Sequence, residues 1–320
     1  MIASARRLLQ LILLVQALAA LAVAAIAWAL GAPAWLALAA GIAAVALARL
    51  LINLNNFRMA ARAASATPDA HRLGARGALR LFAEEFGASM LVSHWHMPRG
   101  RAAMRIHAGG AHPPVLLVHG YGCNAGYWAH LVPLLDAAGI SHAGVDLEPV
   151  GGDIDAYVPS VDRRVRELLA ATGAARVAIV GHSMGGLVAR AYVRAHGSGK
   201  VARIITLGTP HHGTALANLG PGINALQMRR GTGDEEAQGS DWLRALAASE
   251  SPATRALITS IYTHHDNIVA PQTSSVLPGA RNIAFGGIGH VALGSNPRVL
   301  GEVMRELAAL RAPAPSTTAV

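Results

Sequence analysis

The stretch Val177–Ala195 leaves a folding chain very little choice. Val177-Ala178-Ile179-Val180 is an apolar run of strand length, and Met184–Ala195 carries the apolar spacing of an amphipathic helix. Only Gly181-His182-Ser183 separates them. A strand that is apolar on both faces belongs inside a mostly parallel sheet, and passing into a helix within three residues forces a very tight turn with strained backbone angles. Gly181 and Gly185 stand two positions before and after Ser183, where side chains would collide with strand and helix. Such a turn lifts the serine hydroxyl out at the carboxyl end of the sheet, where open α/β folds bind ligands. The N-terminal amides of the helix point at the same place and favour negative charge there.

The surrounding chain repeats this grammar. Short apolar runs alternate with longer helical patterns, the signature of parallel strands joined by crossover helices. The strands are expected at Val115–His119, Ser141–Asp146, Val177–Val180, Arg203–Leu207, Leu257–Thr263 and Asn282–Phe285. The helices are expected at Tyr127–Ala138, Val161–Ala171, Met184–Ala195 and Pro297–Leu310, with an irregular insertion from about His212 to Ala253.

Of the 320 residues, 52% are hydrophobic and only 14% charged, too apolar for one ordinary soluble domain. The excess lies at the N-terminus. Leu8–Leu30 is apolar apart from Gln10 and Gln16, Gly31-Ala32-Pro33 breaks the run, and a second run covers Ala34–Ile52 with Arg49 near its end. Each run approaches or exceeds what a helix needs to cross a hydrocarbon core of about 30 Å, and the pair reads as a transmembrane helical hairpin. A cleaved signal peptide is the rival, with Arg6 and Arg7 as its basic region and Ala27-Trp28-Ala29 as its cleavage site. The second run that follows at once favours the hairpin. The expected organisation is an anchor over 1–56, an amphipathic linker over 57–110 with a helical stretch at Gly77–Phe86, and a catalytic domain over 111–311. A lid-like insertion lies at 214–253 and a flexible tail at 312–320.

The net charge is +9 and Lys200 is the only lysine. The arginines are scattered and aromatics make up only 4%, which argues against nucleic acid as a partner and fits an anionic membrane surface better. Arg6 and Arg7 precede the first run and Arg49, Arg58 and Arg62 end or follow the second, while the turn between is uncharged. Arginine stays on the cytoplasmic side, so both ends of a hairpin, and the domain behind it, are expected there. The periplasmic side is the alternative if only one run spans. The single cysteine, Cys123, rules out an intramolecular disulfide and reads as a packed residue.

A serine hydroxyl needs a general base, and the base needs an orienting acid. In a strand–turn–helix arrangement of this kind, acid and base follow the serine in that order. His290 lies in Gly286-Gly287-Ile288-Gly289-His290, a glycine-rich loop between the last strand and the last helix, from which an imidazole can reach over the sheet edge. Asp266 directly follows the strand ending at Thr263, whereas Asp234, Glu235, Glu236, Asp241 and Glu250 lie in the insertion and are expected to be solvated. His119 and His182 support their loops, and His264 and His265 pack or cap beside Asp266. An oxyanion needs two aimed N–H groups. They are expected from Met184, after the serine, and from Tyr121 in His119-Gly120-Tyr121-Gly122.

Val118-His119-Gly120-Tyr121-Gly122, Gly181–Gly186 and Leu207-Gly208-Thr209-Pro210-His211-His212-Gly213-Thr214 together resemble the bacterial triacylglycerol lipases and related esterases of the α/β-hydrolase superfamily. Asp266-Asn267-Ile268-Val269 and Gly289-His290-Val291-Ala292-Leu293 are similar to the small Bacillus lipases. The resemblance covers roughly residues 113–311. It implies an α/β-hydrolase fold, a Ser183–His290–Asp266 triad and an oxyanion hole of the Tyr121 and Met184 amides. It also implies cleavage of carboxylic esters, lipid esters included, through an acyl-enzyme. That chemistry needs no cofactor, and no cluster of carboxylates in the sequence calls for the structural calcium that some lipases of the superfamily carry. Two departures stand out: Gly181 replaces the alanine of the small lipases, and they lack the insertion at 214–253. An acyltransferase, thioesterase or amidase would use the same triad, and an inactive membrane scaffold is the reading from another class.

Overall fold

Apolar runs flanked by glycine and helix place the sheet, and the chain builds it in one layer. In a computed structural model, which describes residues 4–230 and 239–310, seven strands form a single sheet in the order β1-β3-β2-β4-β5-β6-β7. They are β1 (Met104–Arg105), β2 (Val115–Val118), β3 (His142–Val145), β4 (Val177–His182), β5 (Val201–Leu207), β6 (Ile258–Thr263) and β7 (Arg281–Phe285). All neighbours pair parallel except β1, which runs antiparallel to β3. Every residue of β2, β3, β4 and β6 is buried, which is why these strands read as continuous apolar or small-residue runs rather than alternating ones. Successive side chains still serve opposite faces. Leu116, Val118 and Ile179 join the core under α6 (Val158–Thr172) and α7 (Met184–His196). Val115, Leu117 and Val180 join the one under α5 (Val132–Ala137) and α11 (Pro297–Ala308).

Two expectations for this domain change. The helix placed at Tyr127–Ala138 is a 3-10 segment, Ala125–His130, followed by the short α5, because Pro133 at the start of α5 cannot donate to a preceding turn. The insertion is not irregular. It contains a 3-10 turn at Ala215–Leu219, then α8 (Ile223–Gln227), α9 (Asp241–Ala248) and α10 (Pro252–Ala256). Ser240 and Ser251 cap the last two by accepting from Leu243 N and Thr254 N. Glu250, expected to be solvated, is a buried partner of Arg190: the two form a bidentate pair at 2.6 and 2.9 Å whose side chains are 3% and 0% exposed. Arg190 also meets His211, so the pair ties α7 to the insertion and to the Gly-Thr-Pro-His-His-Gly loop. Asp241 is exposed as expected, and Asp234, Glu235, Glu236 and the tail after Leu310 lie outside the described residues.

At the N-terminus, α1 (Ala5–Ala29) and α2 (Ala34–Arg62) pack side by side. The absence of a side chain at Gly41 allows the approach: a Cβ there would lie 2.2 Å from the Ala20 carbonyl oxygen. Their outer faces are open, with Leu30 83% and Trp35 72% exposed. α2 runs ten residues past Ile52, through the boundary expected at residue 56, because Asn53–Arg62 end the apolar run without ending the backbone ladder. The linker is structured as well. α3 (Ala75–Leu91) continues through a π turn at Val92–His96 into α4 (Met97–Arg99), and β1 follows at the sheet edge. Arg6 donates to Gly100 O and Arg49 to Ser93 Oγ, so the open end of the hairpin rests on the linker and the turn Leu30–Pro33 lies at the other end.

Candidate active site

Ser183 sits between β4 and α7 with φ +54°, the only non-glycine residue with positive φ among the described residues. That strain is held from both sides. Ser183 N donates to Leu207 O on β5, and Thr209 Oγ1 donates to Ser183 O. The turn fits against β2 only because position 185 has no side chain, since a Cβ there would lie 2.2 Å from Val118 O. Met184 opens α7, so its N–H has no carbonyl one turn earlier in that helix and is available to a ligand. Tyr121 lies across the same opening, its hydroxyl donating to Pro221 O at 2.7 Å.

Asp266 and His290 meet beyond the ends of β6 and β7. His290 Nδ1 and Asp266 Oδ2 are 2.8 Å apart with both residues buried. Asp266 Oδ1 accepts from the Ile268 and Val269 amides at 2.8 and 2.7 Å, which fixes the carboxylate plane. The His290 amide donates to Asn267 Oδ1 at 2.9 Å, so consecutive residues hold both the ring and the backbone of His290. Burial works to lower the His290 pKa, but the charge and hydrogen bond of Asp266, with the charge of Glu85, outweigh it and leave the pKa raised. A histidine so placed can accept a proton at Nε2 and carry it as an imidazolium beside a carboxylate.

The other histidines take the supporting places expected of them. His119 Nε2 accepts from Leu147 N. His182 Nε2 donates to His290 O, its ring stacks on Tyr127 at 4.0 Å, and burial holds its pKa well below the ordinary value. His265 Nδ1 accepts from Gly287 N in the loop leading to His290, and the His264 ring packs at a tilt against His71. Burial pushes the Cys123 thiol up to about 12, so it carries no thiolate at neutral pH.

Ser183 opens into an apolar cavity of about 290 Å³. Leu216, Leu219 and Met228 from the insertion line it, with Val269 and Tyr121. The apolar residues of the insertion therefore divide: Leu243 and Leu246 are buried in the core, whereas Ile223 and Leu226 are exposed on α8. Asn56 and Met59 of α2 complete the lining, a contribution with no sequence signal because both lie past the apolar run. Glu85 is a second unanticipated residue: buried on α3, it accepts from the amides of Val291 and Ala292 beside His290. At the opposite end of the sheet, His107, Asp136 and His142 hold potential ligand atoms within 4.8 Å of one another, and Arg105 already pairs with Asp136.

A parallel sheet, a strained serine between strand and helix, and an Asp–His pair after the later strands are the arrangement of one fold. Residues 113–241 match the family model for the alpha/beta hydrolase fold. The chain has the α/β-hydrolase fold. Among solved structures, the chain superposes on the mature form of a Bacillus licheniformis lipase with a TM-score of 0.53 at 21% identity, over 65% of this chain and 97% of that one. It is 49% identical to a triacylglycerol lipase of Pseudarthrobacter phenanthrenivorans over 55 residues, 17% of each chain. A triacylglycerol lipase of Burkholderia plantarii matches at the same identity and length, over 15% of its own chain. The matched segment thus spans about a sixth of those curated relatives. The curated likenesses are to lipases over one short segment, and the superposition shows the fold.

Proposed function

We propose that this α/β hydrolase is a membrane-anchored serine lipase or carboxylesterase that cleaves lipid esters through an acyl-enzyme. The observation that carries the reading is the apolar cavity opening from Ser183, with the buried Asp266–His290 pair at the same end of the sheet. Ser183 Oγ attacks the acyl carbonyl while His290 Nε2 takes its proton. Asp266 holds the opposite ring N–H, fixing the tautomer and stabilising the imidazolium. The amides of Tyr121 and Met184 receive the oxyanion. His290 then protonates the leaving alcohol, and water, deprotonated by the same ring, releases the acid. The acyl chain lies along Leu216, Leu219, Met228 and Met59. No step calls for a cofactor.

α1 and α2 insert as a hairpin in this reading. The 25 residues of α1 and the apolar stretch 34–52 of α2 approach or exceed the span of a hydrocarbon core. Arg6 near the start of α1 and Arg49 near the end of that stretch bond to the linker on the hydrolase side. Arginine at that end puts the catalytic domain in the cytoplasm. Two measurements test the proposal. Hydrolysis of p-nitrophenyl esters from acetate to palmitate should rise toward the longer chains and vanish in Ser183→Ala; a profile confined to acetate and butyrate contradicts the lipid reading. A phosphatase fused after residue 62 should be inactive and a fluorescent protein there bright; an active phosphatase contradicts the hairpin.

A further inference from the structure

The glycine-rich loop that carries His290 is shaped by a segment outside the catalytic domain. A Cβ at Gly289 would lie 2.4 Å from Glu85 Oε2, and one at Gly286 would lie 2.8 Å from His71 Nδ1. Gly286 and Gly289 therefore leave room for the segment His71–Glu85, which the catalytic chemistry does not use. Glu85, on α3, is 1% exposed. Its Oε1 accepts from Val291 N at 3.0 Å and its Oε2 from Ala292 N at 2.9 Å, the two amides that follow His290. Among the described residues no arginine, lysine or histidine forms an ion pair with it. A carboxylate buried without a cation is expensive unless backbone donors satisfy it, and the donors chosen here are those of the turn that begins at His290. The preceding stretch reaches the acid as well. Ser65 N and Oγ donate to Gln272 Oε1, and Gln272 Nε2 donates to Asp266 O.

We propose that Glu85 is a positioning residue for His290: it clamps the turn after the histidine and adds a second negative charge near the imidazolium formed in each turnover. The proposal rests on His290 as general base. It makes the segment between membrane hairpin and catalytic domain part of the active-site scaffold, so that the anchor and the base are set by one rigid connection. The groups facing His290 are Asp266, Glu85 and the His182 ring at 4.6 Å, with the Tyr127 phenol behind His182. His182 and Tyr127 are neutral, since burial lowers the first pKa and raises the second. Burial raises the Glu85 pKa, against the pull of the Val291 and Ala292 amides and of the His290 charge. With both its oxygens accepting from amides, Glu85 is held as the carboxylate. It and Asp266 are thus the two anionic partners, and removing the Glu85 charge lowers the His290 pKa.

The test compares Glu85→Gln and Glu85→Asp with wild type, using full-length protein in detergent and Glu84→Gln as the surface control. Glu85→Gln keeps the shape, loses the charge and turns one acceptor into a donor facing an amide. It should lower kcat about 100-fold with KM within about twofold and the melting transition lowered by only a few degrees, the cost of one unsatisfied buried amide. The acidic limb of kcat/KM, where the base becomes protonated, should move to lower pH. Glu85→Asp should keep the limb in place and recover part of kcat, and Glu84→Gln should match wild type. Wild-type kcat with an unmoved limb in Glu85→Gln would overturn the proposal. So would loss of activity in step with loss of folding in both Glu85 variants, which would make the residue a purely structural support. Full activity in His290→Ala would instead remove the general-base reading on which it rests, a separate result from either.

Discussion

The sheet domain and the N-terminal hairpin are both rich in apolar side chains, yet they put them in opposite places. β2 keeps Val115, Leu116, Leu117 and Val118 at 1% exposure or less, whereas Leu30 and Trp35 on the hairpin stand 83% and 72% exposed. The difference teaches what each region treats as solvent. Water drives β2 between two helical layers, while the hairpin satisfies its backbone inside each helix and, in the proposed membrane reading, leaves its side chains for hydrocarbon. The two regions meet where Asn56 and Met59 of α2 line the cavity beside Ser183, and the linker between them adds Glu85 of α3, which supports the loop of His290.

The first way to break the comparison is to show that the chemistry does not belong to the sheet domain. His290→Ala should lower kcat on a p-nitrophenyl ester by about 10⁴-fold or more, and Asp266→Asn by somewhat less. Combining either with Ser183→Ala should add little further loss, because the three act as a unit. Near wild-type turnover in His290→Ala would mean that the base lies elsewhere.

A second, smaller effect sharpens the part played by water exclusion. Arg190→Ala leaves the buried Glu250 with Arg255 alone, at 3.2 Å, and should cost about 2–3 kcal/mol of stability by denaturant unfolding in detergent. Replacing both partners by apolar residues of similar volume should cost less than either single change. Equal losses for the double and single variants would show that the pair contributes only its packing.

The smallest effect probes the seam itself. Met59→Trp narrows the cavity from the α2 side and should shift preference toward shorter acyl chains by a few-fold in kcat/KM, about 1 kcal/mol of discrimination, without affecting acetate. An unchanged chain-length profile would separate α2 from the substrate path.

Most of the sheet was legible because buried parallel strands are continuous apolar or small-residue runs, and the serine turn because only glycines tolerate its contacts. β1 was not, since two residues carry no period. The end of α2 was misplaced because hydropathy reports the solvent around a helix rather than its hydrogen bonds, and Asn53–Arg62 change the first without breaking the second. Asp266 and His290 were legible as candidates from chain order together with their places just after the strand ending at Thr263 and in the glycine-rich loop before the last helix. Glu250 was misread because an acidic residue in a polar insertion looks solvated until the more buried of its two arginines, 60 positions earlier, is brought against it. Glu85 was invisible for the same reason: its neighbour Glu84 pairs with Arg80 on the surface, and nothing local tells the two apart.

The central claim, that Ser183 is the nucleophile of an acyl-transfer site, is tested most directly by labelling the full-length protein with a fluorophosphonate and mapping the adduct by mass spectrometry. The account predicts one adduct, on Ser183, formed in proportion to the loss of ester hydrolysis and absent from Ser183→Ala. An adduct on another residue, or hydrolysis that survives complete labelling of Ser183, would contradict it.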